Sequence, residues 1–223
     1  TRAIYIISPN NPAGGVLTRA DLEGIAALSQ KHGLWVFSDE AYEDVVFDGE
    51  HVSIASLPGM YERTIPIYTF SKTYAMTGLR LAYVAVKDPQ VRDRIRKVLF
   101  YTVSSVSSLV QYGGLGAVRG DQEIVKTYRD ELHARRELFY AGIADASHGI
   151  LTGEKPAGAF YAFMRISDEW QPPSGSAESR SWAMTELLIS RGRIGCVPGV
   201  DFGVNGENHI RLCFARDRKE LEG

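Results

Sequence analysis

Three clusters of polar residues directly follow short apolar runs in this sequence, and their residue types suit chemistry. The clusters occupy residues 8–15, 38–42 and 69–72. Functional groups often lie beyond the carboxyl ends of parallel strands, because the strands frame an open crevice rigidly. The amine of Lys72 is a nucleophile only when an apolar or cation-rich site keeps it uncharged. The carboxylate of Asp39, at the end of an apolar run, is suited to holding a proton on a bound group.

Each cluster also has a purely structural interpretation. The Asn-Pro and Gly-Gly pairs of residues 10–15 are typical of turns. Asp39 suits a capping position, and Lys72 could equally be a solvated surface lysine. No cluster predicts a function by itself, so the prediction depends on all three together, in this order and at this spacing.

The elements that must position these residues follow an α/β pattern, in which parallel strands are joined by crossover helices. A strand is expected over residues 3–7. A helix is expected over residues 18–32, with Thr18 and Asp21 as a capping box and Gly33 as its end. Nearly continuous apolar runs, typical of strands covered on both faces, predict strands at residues 34–37, 65–70 and 81–86, and Asp88-Pro89 starts a further helix.

The pattern changes after residue 120 and predicts a second, smaller α+β domain. A helical period over residues 121–146 is long enough to connect two domains. We therefore expect residues 1–120 to form part of a large domain, and residues 121–223 the connecting helix and the small domain. Beyond the long helix, the predicted elements are strands at 159–166, 194–197 and 209–215, a loop at 171–176 and a helix at 177–191.

The motifs as a set resemble the class I/II aminotransferases, the fold type I enzymes of the aspartate aminotransferase superfamily. Residues 69–82, Thr-Phe-Ser-Lys-Thr-Tyr-Ala-Met-Thr-Gly-Leu-Arg-Leu-Ala, match the lysine signature of that family, including the arginine eight residues after Lys72. Asn11-Pro12-Ala13-Gly14 resembles its Asn-Pro-Thr-Gly element, with alanine for threonine. The resemblance continues through Asp39-Glu40-Ala41-Tyr42, Pro156-Ala157-Gly158-Ala159-Phe160-Tyr161, Val197-Pro198-Gly199 and Ile210-Arg211-Leu212-Cys213-Phe214-Ala215.

The resemblance implies a fold type I large domain, with a mostly parallel sheet, that binds pyridoxal 5'-phosphate (PLP). Lys72 would form the Schiff base and, once freed, shuttle a proton. Asp39 would keep the pyridine nitrogen protonated, so that PLP works as an electron sink. Asn11 and Tyr42 would donate to the phenolic oxygen.

The same resemblance assigns the anion-binding residues. Thr69, Ser71 and Arg80 would hold the phosphate, with Thr69 standing where the family usually has serine or glycine. Arg211 would clamp the α-carboxylate of the substrate, and Asn11 would share that ligand. The period of two over residues 209–215 places Arg211 on a face with His209 and Cys213, opposite an apolar face. A structural carboxylate partner is the alternative explanation for this arginine.

Composition excludes several other classes of function. Twenty-five basic and 27 acidic residues are mixed along the chain, so no nucleic-acid partner is expected. No apolar run approaches a membrane span, and the five histidines show no metal spacing. Two cysteines in apolar runs, Cys196 and Cys213, fit free thiols in the cytoplasm. The chain also opens inside a strand-like run, so we expect it to be N-terminally truncated.

The leading prediction is an aminotransferase that moves an amino group between an amino acid and a 2-oxo acid, working as a homodimer as the family typically does. Two alternatives stay open. A PLP-dependent lyase or decarboxylase could use the same fold, because the fold does not fix which bond breaks. A non-catalytic, aminotransferase-like sensor module, such as part of a transcription regulator, would not need Lys72.

Overall fold

The computed structural model describes residues 1–175 and 179–222. The chain forms two compact units. The first consists of Thr1–Pro9 and Val16–Arg129. The second combines the loop Asn10–Gly15 with the chain from Asp130 onward. A short loop near the start of the chain therefore belongs to the unit built from its second half.

The first unit is built on a four-stranded sheet in the order β1-β2-β3-β4. The first three strands are parallel, with Ile7 opposite Asp39 and Asp39 opposite Ile67. The α/β class and the mostly parallel sheet that the sequence predicted are thus present. The elements are β1 (Ala3–Ile7), α1 (Arg19–His32), β2 (Trp35–Asp39), β3 (Thr64–Thr69), α2 (Phe70–Thr73), β4 (Ala82–Val84), α3 (Pro89–Val103), α4 (Ser108–Arg119) and the start of α5 (Glu123–Ala146).

Helix α1 confirms its sequence prediction at both ends. The Thr18 hydroxyl accepts from the backbone N–H of Asp21, and the Asp21 carboxylate accepts from the backbone N–H of Thr18. Gly33 ends the helix in the left-handed conformation, at φ 63°, which costs glycine little because it has no Cβ. Asp88 likewise caps α3 as predicted. The buried face of α1 packs in a core cluster of Leu22, Ala26, Val36, Ile54, Leu57 and Met60.

Strand β4 runs antiparallel to β3, pairing Thr69 with Ala82. The mostly parallel sheet that the sequence predicted thus includes one antiparallel strand, at its edge. The connection from β3 to β4 holds only the four-residue α2 and a 3₁₀ turn at Thr77–Leu79. A parallel return usually passes through a helix that crosses one face of the sheet, and this connection contains no helix of that length. Helix α4 was not predicted from the sequence.

The second unit contains an antiparallel sheet in the order β5-β6-β8-β7. Strand β8 shows the predicted alternation, with Ile210 and Leu212 buried between partly exposed neighbours. The predicted loop at 171–176 and helix at 177–191 run through residues 176–178, which lie outside the described residues. The elements are the remainder of α5, β5 (Leu151–Thr152), β6 (Tyr161–Ile166), α6 (Arg180–Leu187) with a π-helical turn (Leu188–Gly192), β7 (Val197–Pro198), β8 (His209–Cys213) and α7 (Arg218–Glu222).

None of the helices in the described part of the chain combines the length and the apolar character that crossing a membrane would need.

Candidate active site

Asp39 is the last residue of β2, at the carboxyl end of the parallel strands. Two donors fix its carboxylate. The Tyr5 hydroxyl donates to Oδ2 at 2.8 Å, and the backbone N–H of Ala41 donates to Oδ1 at 3.1 Å. A carboxylate has about four acceptor sites, so this one keeps the capacity to accept from a bound cation.

Lys72 lies in α2, immediately after β3, where the structure places it beside Tyr42. The Lys72 Nζ atom is 5.5 Å from the centre of the Tyr42 ring. Tyr42 is buried and Lys72 is partly buried. The next residue, Thr73, donates to Asp44 at 2.7 Å, which anchors α2 to the segment after β2. The structure therefore brings Asp39, Tyr42 and Lys72 to one end of the same sheet.

Thr69, Ser71 and Arg80 surround the turn between β3 and β4. The Thr69 hydroxyl accepts from the backbone N–H of Ser71 at 3.1 Å and donates to the Leu81 carbonyl at 3.3 Å. Arg80 donates from Nη1 to the Thr77 carbonyl at 2.9 Å, so its exposed guanidinium is held in place. Arg80 has φ 56°, a conformation that costs a non-glycine residue about 1 kcal/mol or more and that is concentrated at functional sites.

A buried polar network beneath Asp39 was missed by the sequence analysis. Glu40 is fully buried and accepts hydrogen bonds from Ser38 and Ser53, both at 2.8 Å. Its other oxygen lies 3.2 Å from Nε2 of His51. Burial would raise the pKa of Glu40, but the hydrogen bonds from His51, Ser53 and Ser38 together lower that pKa. The only sign of this network in the sequence was Glu40 itself, an acidic residue within the Asp39-Glu40-Ala41-Tyr42 motif.

Glu43 lies beside this network and lines a cavity of about 550 Å³. Burial, followed by repulsion from Asp44 and Glu40, raises the pKa of Glu43 to about 7. The ligand atoms of Glu40, Glu43 and His51 lie within 4.8 Å of one another. Both oxygens of Glu40 already accept hydrogen bonds within the protein, so this group is explained as a structural network.

In the second unit, the structure brings Arg211 and Asn11 together. Arg211 donates from Nη1 to Oδ1 of Asn11 at 2.9 Å. Its guanidinium also lies between two aromatic rings, 4.3 Å from the centre of Tyr161 and 4.9 Å from that of Phe202. Within residues 1–175 and 179–222, no carboxylate forms an ion pair with Arg211. The structure of these residues therefore does not support the alternative explanation for Arg211, in which the arginine pairs with a structural carboxylate.

The loop that carries Asn11 is fixed against the segment before β6. Gly14 accepts from the backbone N–H of Gly158 at 2.9 Å. A Cβ on Gly14 would lie only 2.2 Å from that of Pro156. The Pro156 carbonyl in turn accepts from the buried side chain of Arg136, on α5, at 2.8 Å. Arg136, Pro156 and Gly14 thus hold the loop from which Asn11 reaches Arg211.

The first-unit residues fit a cofactor that carries an aldehyde, a basic ring nitrogen and a phosphate. Lys72 supplies an amine, and Asp39 supplies a carboxylate with spare acceptor capacity beyond its two donors. Arg80 supplies a guanidinium that is anchored through one of its five N–H groups. Arg211, in the second unit, presents a guanidinium whose geometry suits a carboxylate.

Comparisons with known proteins agree with this chemistry. The family profile described as "Aminotransferase class I and II" matches residues 1–223. The chain is 39% identical to aromatic-amino-acid aminotransferase 2 of Thermococcus litoralis and 38% identical to an aspartate aminotransferase of Pyrococcus abyssi, each over all of this chain and 55% of the relative. It superposes on the aromatic aminotransferase of Pyrococcus horikoshii with a TM-score of 0.89 at 39% identity, covering 100% of this chain and 57% of that one. The chain spans about half the length of the relatives it matches.

Proposed function

Because the chain belongs to the aminotransferase class I and II family, we propose that the protein transfers an amino group between an amino acid and a 2-oxo acid with the help of PLP. The observation that carries this proposal is the grouping of Asp39, Tyr42 and Lys72 at one end of the first-unit sheet. The names of the relatives give no support to the lyase, decarboxylase or sensor alternatives.

Bound PLP supplies an electron sink that stabilises a carbanion at the substrate Cα. We assign the protein's part in the reaction itself to three side chains. Lys72 would hold the cofactor through its amine and, once the substrate's amine has displaced it, would move a proton to or from the substrate Cα. Asp39, oriented by its two donors, would hold the proton on the ring nitrogen. Tyr42 would donate a hydrogen bond from its hydroxyl to the phenolic oxygen. Thr69, Ser71 and Arg80 are assigned to the phosphate.

Substrate binding is assigned to the second unit. Arg211 binds the α-carboxylate, and its aromatic neighbours hold the guanidinium plane. Asn11 accepts from Arg211 through Oδ1, which leaves its NH₂ group directed elsewhere as a donor. The resemblance implied two hydrogen-bond acceptors for this NH₂ group, the phenolic oxygen of the cofactor and the α-carboxylate of the substrate.

The experiment that tests this function starts with cofactor attachment. Borohydride reduction of the PLP-loaded protein, followed by peptide mapping, is expected to place the label on Lys72. The Lys72→Ala variant should lose both label and activity, whereas Lys97→Ala, an exposed lysine on α3, should keep both. A label on any other lysine would remove the basis of the proposal.

The reaction is tested by exchange. An amino acid should bleach the visible absorbance of the loaded protein, and a 2-oxo acid should restore it. Release of ammonia or carbon dioxide without this exchange would instead identify a lyase or a decarboxylase. A panel of aromatic and acidic amino acids is the first choice, because the relatives are named for aromatic amino acids and aspartate.

We also propose that the protein is a cytoplasmic homodimer. Cys196 and Cys213 form no disulfide in the described part of the chain, which supports a reducing compartment, and the family resemblance supports the dimer. Light scattering coupled to gel filtration measures the oligomeric state, and a monomeric active protein would rule the dimer out.

A further inference from the structure

Tyr5 contacts the one carboxylate that the proposed function assigns to the cofactor's ring nitrogen. It lies on β1, the strand parallel to β2, and its register partner is Phe37, two residues before Asp39. Side chains alternate along strands, so Tyr5, Phe37 and Asp39 share one face of the sheet. The Tyr5 hydroxyl reaches Asp39 Oδ2 at 2.8 Å. Strand register thus places a phenol diagonally across from the carboxylate.

Packing does not explain why a tyrosine stands at this position. Tyr5 is 58% exposed, so its side chain contributes little to a core. Its hydroxyl makes a bond to a charged acceptor, and such bonds are stronger than those between neutral groups. Partial burial, followed by the hydrogen bond and the charge of Asp39, raises the pKa of Tyr5 to about 12. The phenol therefore stays protonated, and stays a donor, across the working range of an enzyme.

The two donors to Asp39 act on different oxygens. The backbone N–H of Ala41 holds Oδ1, and the Tyr5 hydroxyl holds Oδ2. A carboxylate held at both oxygens has a fixed plane, whereas one held only through Oδ1 can rotate about its Cβ–Cγ bond. Orientation of this kind matters where a single hydrogen bond must point at one atom.

We propose that Tyr5 is a positioning residue for Asp39, which fixes the carboxylate so that it meets the protonated ring nitrogen of the cofactor. This inference rests on the proposed function, and it assigns a role to a residue outside the family motifs. Tyr5 acts through Asp39 and is not itself assigned a contact with the cofactor or the substrate.

The test is removal of the hydroxyl in Tyr5→Phe. We expect the dissociation constant for PLP, measured from the absorbance of the loaded protein, to rise about 3- to 10-fold, as the loss of one hydrogen bond to a charged group at a partly exposed site would give. The visible band should shift, and kcat should fall with little change in KM. Tyr83→Phe is the matched control, because Tyr83 is an exposed tyrosine on β4 of the same sheet. Tyr83→Phe should leave the PLP dissociation constant, the visible band and kcat unchanged.

A double-mutant cycle with Asp39→Asn separates positioning from a merely structural role. If Tyr5 acts through the carboxylate, Tyr5→Phe should change the PLP dissociation constant much less in the Asp39→Asn background. An equal loss in both backgrounds, or a Tyr5→Phe protein that binds PLP as the wild type does, would overturn the inference. A wild-type protein that fails to attach PLP at Lys72 would instead refute the proposed function, so the two failures are distinguishable.

Discussion

Arg211 donates a hydrogen bond to Asn11 across 200 positions of sequence, at 2.9 Å. The same guanidinium lies between the rings of Tyr161 and Phe202. The amide fixes one edge of the guanidinium and the rings fix its faces. The remaining N–H groups of Arg211 are therefore held in one plane, which is the geometry that bidentate recognition of a carboxylate requires.

Replacement of Arg211 by lysine should damage substrate binding although the charge is kept. A lysine has no planar fork for two parallel hydrogen bonds, so we expect kcat/KM for the amino acid to fall about 100-fold, which corresponds to about 3 kcal/mol. Steady-state kinetics measure this loss. Arg165→Lys, on the neighbouring strand β6 and paired with exposed Asp168, is the control and should be neutral. Equal kinetics for Arg211→Lys and the wild type would contradict the carboxylate assignment.

Loss of one aromatic face should have a smaller effect of the same kind. In Phe202→Leu, the guanidinium loses a cation–π contact worth about 0.5–1 kcal/mol. We expect kcat/KM to fall about 2- to 5-fold, mainly through KM. Phe202→Tyr keeps a ring and should retain wild-type kinetics. If both variants lose activity equally, the ring's contact with Arg211 is not the cause.

A methyl group at Gly14 should destabilise the second unit. Gly14 has φ 71°, and an added Cβ would lie 2.2 Å from Pro156 Cβ and 2.6 Å from the Gly158 carbonyl oxygen. Strain and overpacking together should lower the free energy of unfolding by about 2–4 kcal/mol in Gly14→Ala, as measured by urea denaturation. Gly15→Ala is the matched control, because nothing lies within 4 Å of its added Cβ. A Gly14→Ala protein as stable as Gly15→Ala would show that the loop yields.

Glu43 should make the protein less stable as the pH rises. The pKa of Glu43 is raised in the folded protein from 4.5 to about 7, so the folded state binds the proton more tightly than the unfolded state. Its contribution to stability is fully present below pH 4.5 and is lost as the pH rises toward 7. Allowing for solvent screening of a partly exposed group, we expect Glu43→Gln to be more stable than the wild type by about 1–2 kcal/mol at pH 8 and not at pH 4.5.

Urea denaturation at several pH values measures this difference. Glu40, Asp44 and His51 face Glu43 and stay unchanged in the variant. Glu50→Gln, an exposed residue lining the same cavity, should keep the wild-type pH dependence. The prediction fails if Glu43→Gln loses stability between pH 4.5 and 8 as steeply as the wild type does.

Local signals in the sequence predicted much of the first unit. The ends of α1 were identified because Thr18, Asp21 and Gly33 act on neighbouring backbone groups. In the second unit, the alternation around Arg211 was likewise visible, because it depends only on the period of a strand. The glycines of α4, such as Gly113 and Gly114, hid that helix because glycine disfavours helical backbone.

The side-chain contacts could not be predicted in the same way. The bond between Tyr5 and Asp39 depends on the register of two strands, and that register is set by packing of whole elements. The pairing of Glu40 with His51 and of Arg211 with Asn11 depends on how the chain returns to itself. Motif resemblance implied that Asn11 and Arg211 share the substrate's carboxylate, but it did not imply a hydrogen bond between the two side chains.

In chimeras between this protein and its relatives, residues 10–15 must come from the same parent as the rest of the second unit. A splice between residues 129 and 130 would combine one parent's asparagine loop with the other parent's Pro156 and Arg211. Gly14 lies so close to Pro156 that small differences between the two parents in the backbone of either segment would cause a steric clash. Recombination libraries should therefore exchange residues 10–15 together with the C-terminal portion, as a single inherited block.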